Sequence, residues 1–130
     1  MSTSTSSRVT GVDFVGLPVA DLGRARAFYA DVLGLQPGKT WGEEDPMGAE
    51  FETGTVTLAL MASERLGMEV RPSSAPLALQ VGDVAAARAA LEEQGVAFLG
   101  DTIDSGVCHM APFSDPDGNV LMLHHRYAPH

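Results

Sequence analysis

A ten-residue pattern occurs twice in this chain, and it limits the fold more than any other feature. Leu17-Pro-Val-Ala-Asp-Leu-Gly-Arg-Ala-Arg26 returns as Leu79-Gln-Val-Gly-Asp-Val-Ala-Ala-Ala-Arg88. The displacement is 62 residues, with Leu17/Leu79, Val19/Val81, Asp21/Asp83, Ala25/Ala87 and Arg26/Arg88 in register. A chain of 130 residues that repeats once at this period is built from two copies of one supersecondary unit.

Each copy reads as a strand running into a helix. Val15, Leu17 and Val19 alternate with Phe14, Gly16 and Pro18; Leu77, Leu79 and Val81 alternate with Pro76, Ala78 and Gln80. That period of two places one set on each face of a strand. Asp21 and Asp83 then stand where a short carboxylate accepts from the free N–H groups of a first helical turn. Leu22, Ala25, Phe28, Tyr29, Val32 and Leu33 keep helical spacing as far as Gly34, which suits the left-handed C-terminal position. Val84, Ala87, Ala90 and Leu91 do the same before Gly95.

Further strands follow each helix. The first half offers 49–52 and 55–61 around a Thr53-Gly54 turn, with Val56, Leu58 and Leu60 on one face and Thr57, Ala59 and Met61 on the other. The second offers 96–100, 107–113 and 120–124, the last two joined by Ser114-Asp-Pro-Asp-Gly-Asn119. In that turn proline presets one φ, and glycine or asparagine accepts a positive one. The loop 36–48, with Gly38, Gly42 and Gly48, reads as mobile, and the proline-containing 68–75 as the link between halves. Each half is therefore β-α-β-β-β and the fold class α+β, with helices covering one sheet face and leaving the other free. Module one is expected over 8–67 and module two over 74–127, in one domain 8–128 behind a polar tail 1–7.

Composition narrows the partners. Hydrophobic residues make up 45% and charged residues 19%, as in a globular domain. With 8 Lys and Arg against 17 Asp and Glu, the formal charge is −9, which repels phosphate backbones and anionic lipid and attracts cations. No nucleic acid or membrane partner is expected. The single cysteine, Cys108, has no intrachain mate, the tail Met1–Ser7 lacks the apolar run of a signal peptide, and no stretch reaches the ~18 apolar residues of a membrane span. A cytoplasmic protein is expected.

With these elements placed, the chain resembles the vicinal oxygen chelate superfamily (glyoxalase I, bleomycin resistance proteins and extradiol dioxygenases). The residues that carry the resemblance are Val19-Ala-Asp-Leu22, Phe28-Tyr29, Leu33-Gly34-Leu35 and Asp115-Pro-Asp-Gly-Asn119, within a match over 8–127. It implies two βαβββ modules forming a cupped, mostly antiparallel sheet with helices on the convex face and ligand on the concave one. It also implies a homodimer, commonly with each cup completed at the subunit interface. Alternation assigns Val15, Leu17, Val19, Leu121 and Leu123 to the helix side, and Phe14, Thr57, Met61, Gln80, Ala111, Phe113, Met122 and His124 to the cup.

Family enzymes hold a divalent ion with His, Glu or Gln side chains at four places. The resemblance carries these onto Phe14, Pro76, Met122 and the neighbourhood of Ala59, none of which supplies imidazole or carboxylate. No metal and no other cofactor is expected. A pairing of Phe113 with Val120 would set His109 opposite His124, and two imidazoles with Glu50 or Glu52 would make a displaced metal site. The other reading has His124, His125 and Arg126 as a polar strand end and His109 as a hydrogen-bonded pocket residue. Cys108 then points away from the cup as a buried thiol. Asp101 and Asp104 read as turn formers or as acids at the mouth. Trp41, beside Glu43-Glu44-Asp45, reads as a lid over ligand or as a plug in a dimer contact.

The expected ligand-binding set is thus Phe14, Trp41, Thr57, Met61, Gln80, His109, Phe113, Met122 and His124. An apolar cup of this kind suits metal-independent binding or sequestration of a hydrophobic, aromatic or cationic small molecule, as in antibiotic resistance. The alternatives are a glyoxalase- or dioxygenase-like lyase or isomerase working around His109 and His124, and an interaction module with a filled cup. Whether the chain is an enzyme is left open by its sequence.

Overall fold

Both repeated aspartates start helices. The Asp21 carboxylate accepts from Arg24 N at 3.0 Å and the Asp83 carboxylate from Ala86 N at 3.0 Å, each satisfying a donor that the first turn leaves without a partner. The structure, a computed structural model, describes residues 8–42 and 46–129. Its elements are β1 Phe14–Val19, α1 Leu22–Ala27 running on as a π-helical turn Phe28–Val32, β2 Gln36–Trp41, β3 Gly48–Glu52 and β4 Thr57–Ala62. After a 3₁₀ turn Ser63–Leu66 come β5 Leu77–Gln80, α2 Val84–Glu93, β6 Ile103–Asp104, β7 Cys108–Ser114 and β8 Val120–Arg126. No helix among the described residues is long and apolar enough to cross a membrane.

The duplication extends to topology. The strands form two four-stranded sheets, ordered β1-β4-β3-β2 and β5-β8-β7-β6. In each the first strand runs parallel to its neighbour and the remaining pairs are antiparallel. Among the described residues no ladder joins the two sheets, so β1 and β5 are both edge strands. What joins the halves is one apolar cluster, to which Leu17, Val19, Tyr29, Phe51 and Leu60 come from the first and Leu91, Phe113, Leu121 and Leu123 from the second.

Two segments differ from their sequence reading. The expected mobile loop 36–48 contains β2, paired with β3 through a register shift between Pro37 and Thr40. Proline and an irregularity are tolerated there because β2 is an edge, where a missing N–H breaks no interior ladder. The expected strand 96–100 shrinks to a single bridge, Phe98 to Phe113, while the short β6 forms from the stretch read as turn.

The decisive difference is register. Ser114 pairs with Val120, so Phe113 faces Leu121 and Met110 faces His124, one step from the expected pairing. The cause is the turn itself. Asp115 Oδ1 accepts from Asp117 N and Asn119 N, both at 2.9 Å, and Asp115 N donates to Asn119 O at 3.0 Å. All five residues 115–119 are therefore spent in the turn. A one-residue step moves every side chain of a strand to the other face.

The same turn clamps the modules together. Tyr29 OH donates to Asp115 Oδ2 at 2.7 Å, Asn119 Nδ2 donates to Pro18 O at 2.9 Å, and Asp117 Oδ1 accepts from Ala20 N at 2.8 Å. Burial, and then the adjacent Asp115 charge that accepts its proton, raise the Tyr29 hydroxyl well above its ordinary ionisation range. Replacing Tyr29 by Phe removes one donor from a buried carboxylate and is expected to cost about 1–3 kcal/mol in urea unfolding at pH 7. Because the folded state resists Tyr29 ionisation, its stabilisation is complete below about pH 10 and lost as pH rises further, where the unfolded chain ionises. The wild type should therefore lose stability above that pH more steeply than Y29F; equal slopes would refute the clamp.

Candidate functional site

In both modules the functional residues expected from sequence concern the sheet face that carries no helix. In the first sheet the register sets Phe14 beside Thr57 and Glu52, Gly16 beside Ala59 and Glu50, and Pro18 beside Met61 and Gly48. Their alternates Leu17, Val19, Phe51, Leu58 and Leu60 are buried in the core, which fixes the assignment of faces. Phe14 keeps 49% of its surface exposed. Two glycines make room for large neighbours. A methyl at Gly48 would overlap the Trp41 ring, and one at Gly16 would lie 3.0 Å from Met61 Sδ. Trp41 is therefore the last residue of β2, laid flat over Gly48, and not a lid in a mobile loop. Its expected acidic neighbours Glu43, Glu44 and Asp45 fall outside the described residues.

Thr57 is committed within this wall: its hydroxyl lies 3.1 and 2.8 Å from the two oxygens of Glu52. Glu50 and Glu52 make this face acidic. The alternation signal that picked out Thr57 and Met61 on β4 applies to Glu50 and Glu52 on β3, since the two strands pair directly.

The second sheet presents a different chemistry. Ala78 stands beside Met122, and Gln80 beside His124, which in turn faces Met110. Cys108 faces Arg126 at the same edge. Gln80, Cys108, His124 and Arg126 line a crevice of about 480 Å³. Arg126 Nη2 donates to Pro129 O at 3.0 Å, and its Nε is buried without a partner among the described residues. Cys108 and Arg126 were not expected on this face. Counting in twos from Met122 through His124 reaches Arg126, and the correct register then brings Cys108 with it.

Phe113 and His109 sit on the opposite face. Phe113 is fully buried, its ring 5.2 Å from that of Phe98, and Ala111 is buried beside it. His109 faces His125, stacks on Tyr127 at 4.8 Å, and lies 3.4 Å from Asp104 Oδ2. Asp104 accepts from Gly106 N at 2.9 Å and from Tyr127 OH at 2.7 Å. These bonds, first the backbone one and then the phenol, lower the Asp104 carboxyl below its ordinary value, and the shared proton raises Tyr127. Asp104 thus serves a turn and a tyrosine, and His109 and His124 cannot share an ion.

The residues present do not fit the divalent ion of the family's enzymes. Phe14, Ala59, Pro76 and Met122 offer carbon and a thioether, and among the described residues no three His, Cys, Asp or Glu side chains come together.

With that geometry in place, comparison with known proteins is informative. The model of the family described as Glyoxalase/Bleomycin resistance protein/Dioxygenase superfamily matches residues 11–123. No curated protein matches the sequence. Among solved structures, TnmS3, an antibiotic binding protein from Streptomyces sp. CB03234, is 27% identical with a TM-score of 0.76, covering 93% of this chain and 99% of that one. A glyoxalase/bleomycin resistance protein from the same Streptomyces is 28% identical with a TM-score of 0.67, covering 88% and 100%. A lactoylglutathione lyase from Agrobacterium tumefaciens shares the fold at 18% identity and a TM-score of 0.75, covering 89% and 93%.

The seat of Trp41 can be tested directly. Gly48→Ala should force the indole off the sheet, shift its emission to longer wavelength and lower stability by about 1–3 kcal/mol, as overpacking does. Unchanged emission would mean that the ring does not rest on residue 48.

Proposed function

This chain belongs to the glyoxalase/bleomycin resistance protein/dioxygenase superfamily, and within it we propose that it binds a largely apolar small molecule without a metal ion, holding it rather than transforming it. One observation carries the proposal: the helix-free faces are furnished with Phe14, Trp41, Met61, Met110 and Met122, and Phe14 and Met122 among them stand where the family's enzymes place cation-holding side chains. Sequestration needs affinity alone, which apolar surface with a few placed polar groups supplies. Methionine adapts to ligand shape, so recognition is tolerant. The name of TnmS3 as an antibiotic binding protein supports the same reading. We place this work in the cytoplasm, in keeping with a single cysteine that has no intrachain mate.

The polar groups set the ligand's orientation. Glu50 and Glu52 on the first wall favour a cationic or hydrogen-bond-donating group, while Gln80 and His124 on the second take acceptors. We place the ligand between a first wall and a second wall contributed by two copies of the chain. The support is that β1 is an unpaired edge and that Phe14, on it, is half exposed. An edge strand with exposed aromatic surface favours association with another chain.

Native mass spectrometry together with titration of Trp41 fluorescence against cationic aromatic antibiotics tests this reading. The expected outcome is a homodimer whose emission changes saturably and identically with and without chelator. Truncating Phe14 or Met122 to Ala removes an apolar contact of about 1.5–3 kcal/mol and should weaken binding by about 10- to 100-fold. A stoichiometric transition metal whose removal abolishes binding would sink the proposal, as would silence across a broad panel.

A further inference from the structure

The internal duplication supplies its own comparison for a cavity at the open edge of β5. The turn Thr53–Val56 in the first half is built like Asp115–Asn119 in the second. Thr53 Oγ1 accepts from Thr55 N at 3.3 Å and Val56 N at 2.9 Å, just as Asp115 Oδ1 accepts from Asp117 N and Asn119 N. The surfaces these turns face are equivalent too: Pro18, Ala20 and Tyr29 correspond to Gln80, Gly82 and Leu91 at the displacement of 62. Gln94 Nε2 reaches Val32 O at 3.5 Å across the relating axis, from one member of such a pair to the other.

The two seams nevertheless end differently. In one, Asp117 takes the Ala20 N–H and Asn119 gives its amide to Pro18 O. In the other, the turn is one residue shorter and carries hydroxyls and Val56 in place of carboxylate and carboxamide. Among the described residues no hydrogen bond joins it to the second half, and Gly82 N–H has no partner. In place of the clamp is a crevice of about 560 Å³ lined by Val15, Val56, Leu58, Leu79, Val81 and Gly82, among others, with no Asp, Glu, Lys or Arg among its lining residues. These aliphatic residues belong to the core-facing set, while Gln80, which also lines the crevice, marks where it meets the second proposed ligand wall.

We propose that this crevice is a second small-molecule site, selective for a neutral ligand that carries a carboxamide-like group on an apolar body. The closed seam shows which chemistry the backbone of the open one receives. An acceptor oxygen takes the N–H of residue 82, as Asp117 takes that of residue 20. A donor N–H meets the carbonyl of residue 80, as Asn119 meets that of residue 18. The aliphatic walls take the body, within the ~300–1,000 Å³ typical of small-molecule pockets. A charged group finds no Asp, Glu, Lys or Arg there and keeps most of its desolvation penalty, and the one imidazole of the lining, His125, is engaged through Nδ1 with Val81 O at 3.1 Å.

The test is amide NMR of the full chain titrated with benzamide, with toluene and benzoate as matched probes. Benzamide should shift the Gly82 amide saturably, and each control should bind about 10-fold or more weakly, toluene for want of both hydrogen bonds and benzoate for want of the donor and for its charge. Thr55→Asp restores a carboxylate at the counterpart of Asp117 and should abolish the benzamide response while keeping the folded spectrum. Gly82→Leu should do the same by filling the crevice that residue 82 lines, since a Cβ there meets nothing within 4 Å. No saturable shift, shifts confined to Phe14, Thr57 and Met122, or a Gly82 shift that follows protein concentration because a second copy covers the crevice would each overturn the proposal. Its readout is Gly82 rather than Trp41, so it stands or falls separately from binding at the helix-free faces.

Discussion

The Asp115 carboxylate, only 4% exposed, receives four donors: two turn N–H groups on one oxygen, and the Tyr29 hydroxyl and Asn119 amide on the other. A buried charge without such partners would be strongly destabilising, and with them it becomes a rigid node. Two consequences follow from the same group. The turn N–H bonds fix how many residues separate β7 from β8, and so decide which side chains of β7 face a ligand. The bond to Tyr29 ties that hairpin to the other module, between whose sheets no ladder runs. Site composition and module assembly thus rest on one carboxylate.

Much of the fold was legible because it is written in patterns of short range. The repeated Asp N-caps, period-two strands and the Asp-Pro-Asp-Gly-Asn turn each state a local preference that the packing respects. The candidate site was less legible. Phe14, Thr57, Met61, Gln80, Met122 and His124 follow from alternation within single strands, and each lies on the helix-free face. His109 and Phe113 depended on pairing across a turn, where counting one residue too few reverses the face. Composition could not correct that slip, because β7 carries apolar residues on both sides: Met110 and Pro112 on one, Ala111 and Phe113 on the other. Trp41 was misplaced for another reason. Glycine and proline signal a loop, yet in β2 they belong to an edge strand, and Gly48 is small because the indole lies on it.

The chemistry of the helix-free faces is the ground for the proposed binding. Carboxylates stand on one wall, amide, imidazole and guanidinium on the other, and thioethers and aromatic rings between them. Such a set orients a molecule by its polar ends and desolvates its body. Among the described residues the one histidine with a carboxylate neighbour, His109, lies on the other side of the sheet, occupied by Tyr127 and Asp104.

Duplication gives a chain two equivalent seams but only one need for a clamp. Once Asp115, Asp117 and Asn119 hold the modules at one seam, and the common core holds them between, the other seam carries no further obligation to close. Its turn is a residue shorter and carries no side chain that bridges to residues 80 and 82. The backbone edge that receives a carboxylate and an amide at one seam faces a crevice at the other. The asymmetry between Asn119, fully buried at its seam, and Val56, exposed at the other, is the sequence-level mark of that division of labour.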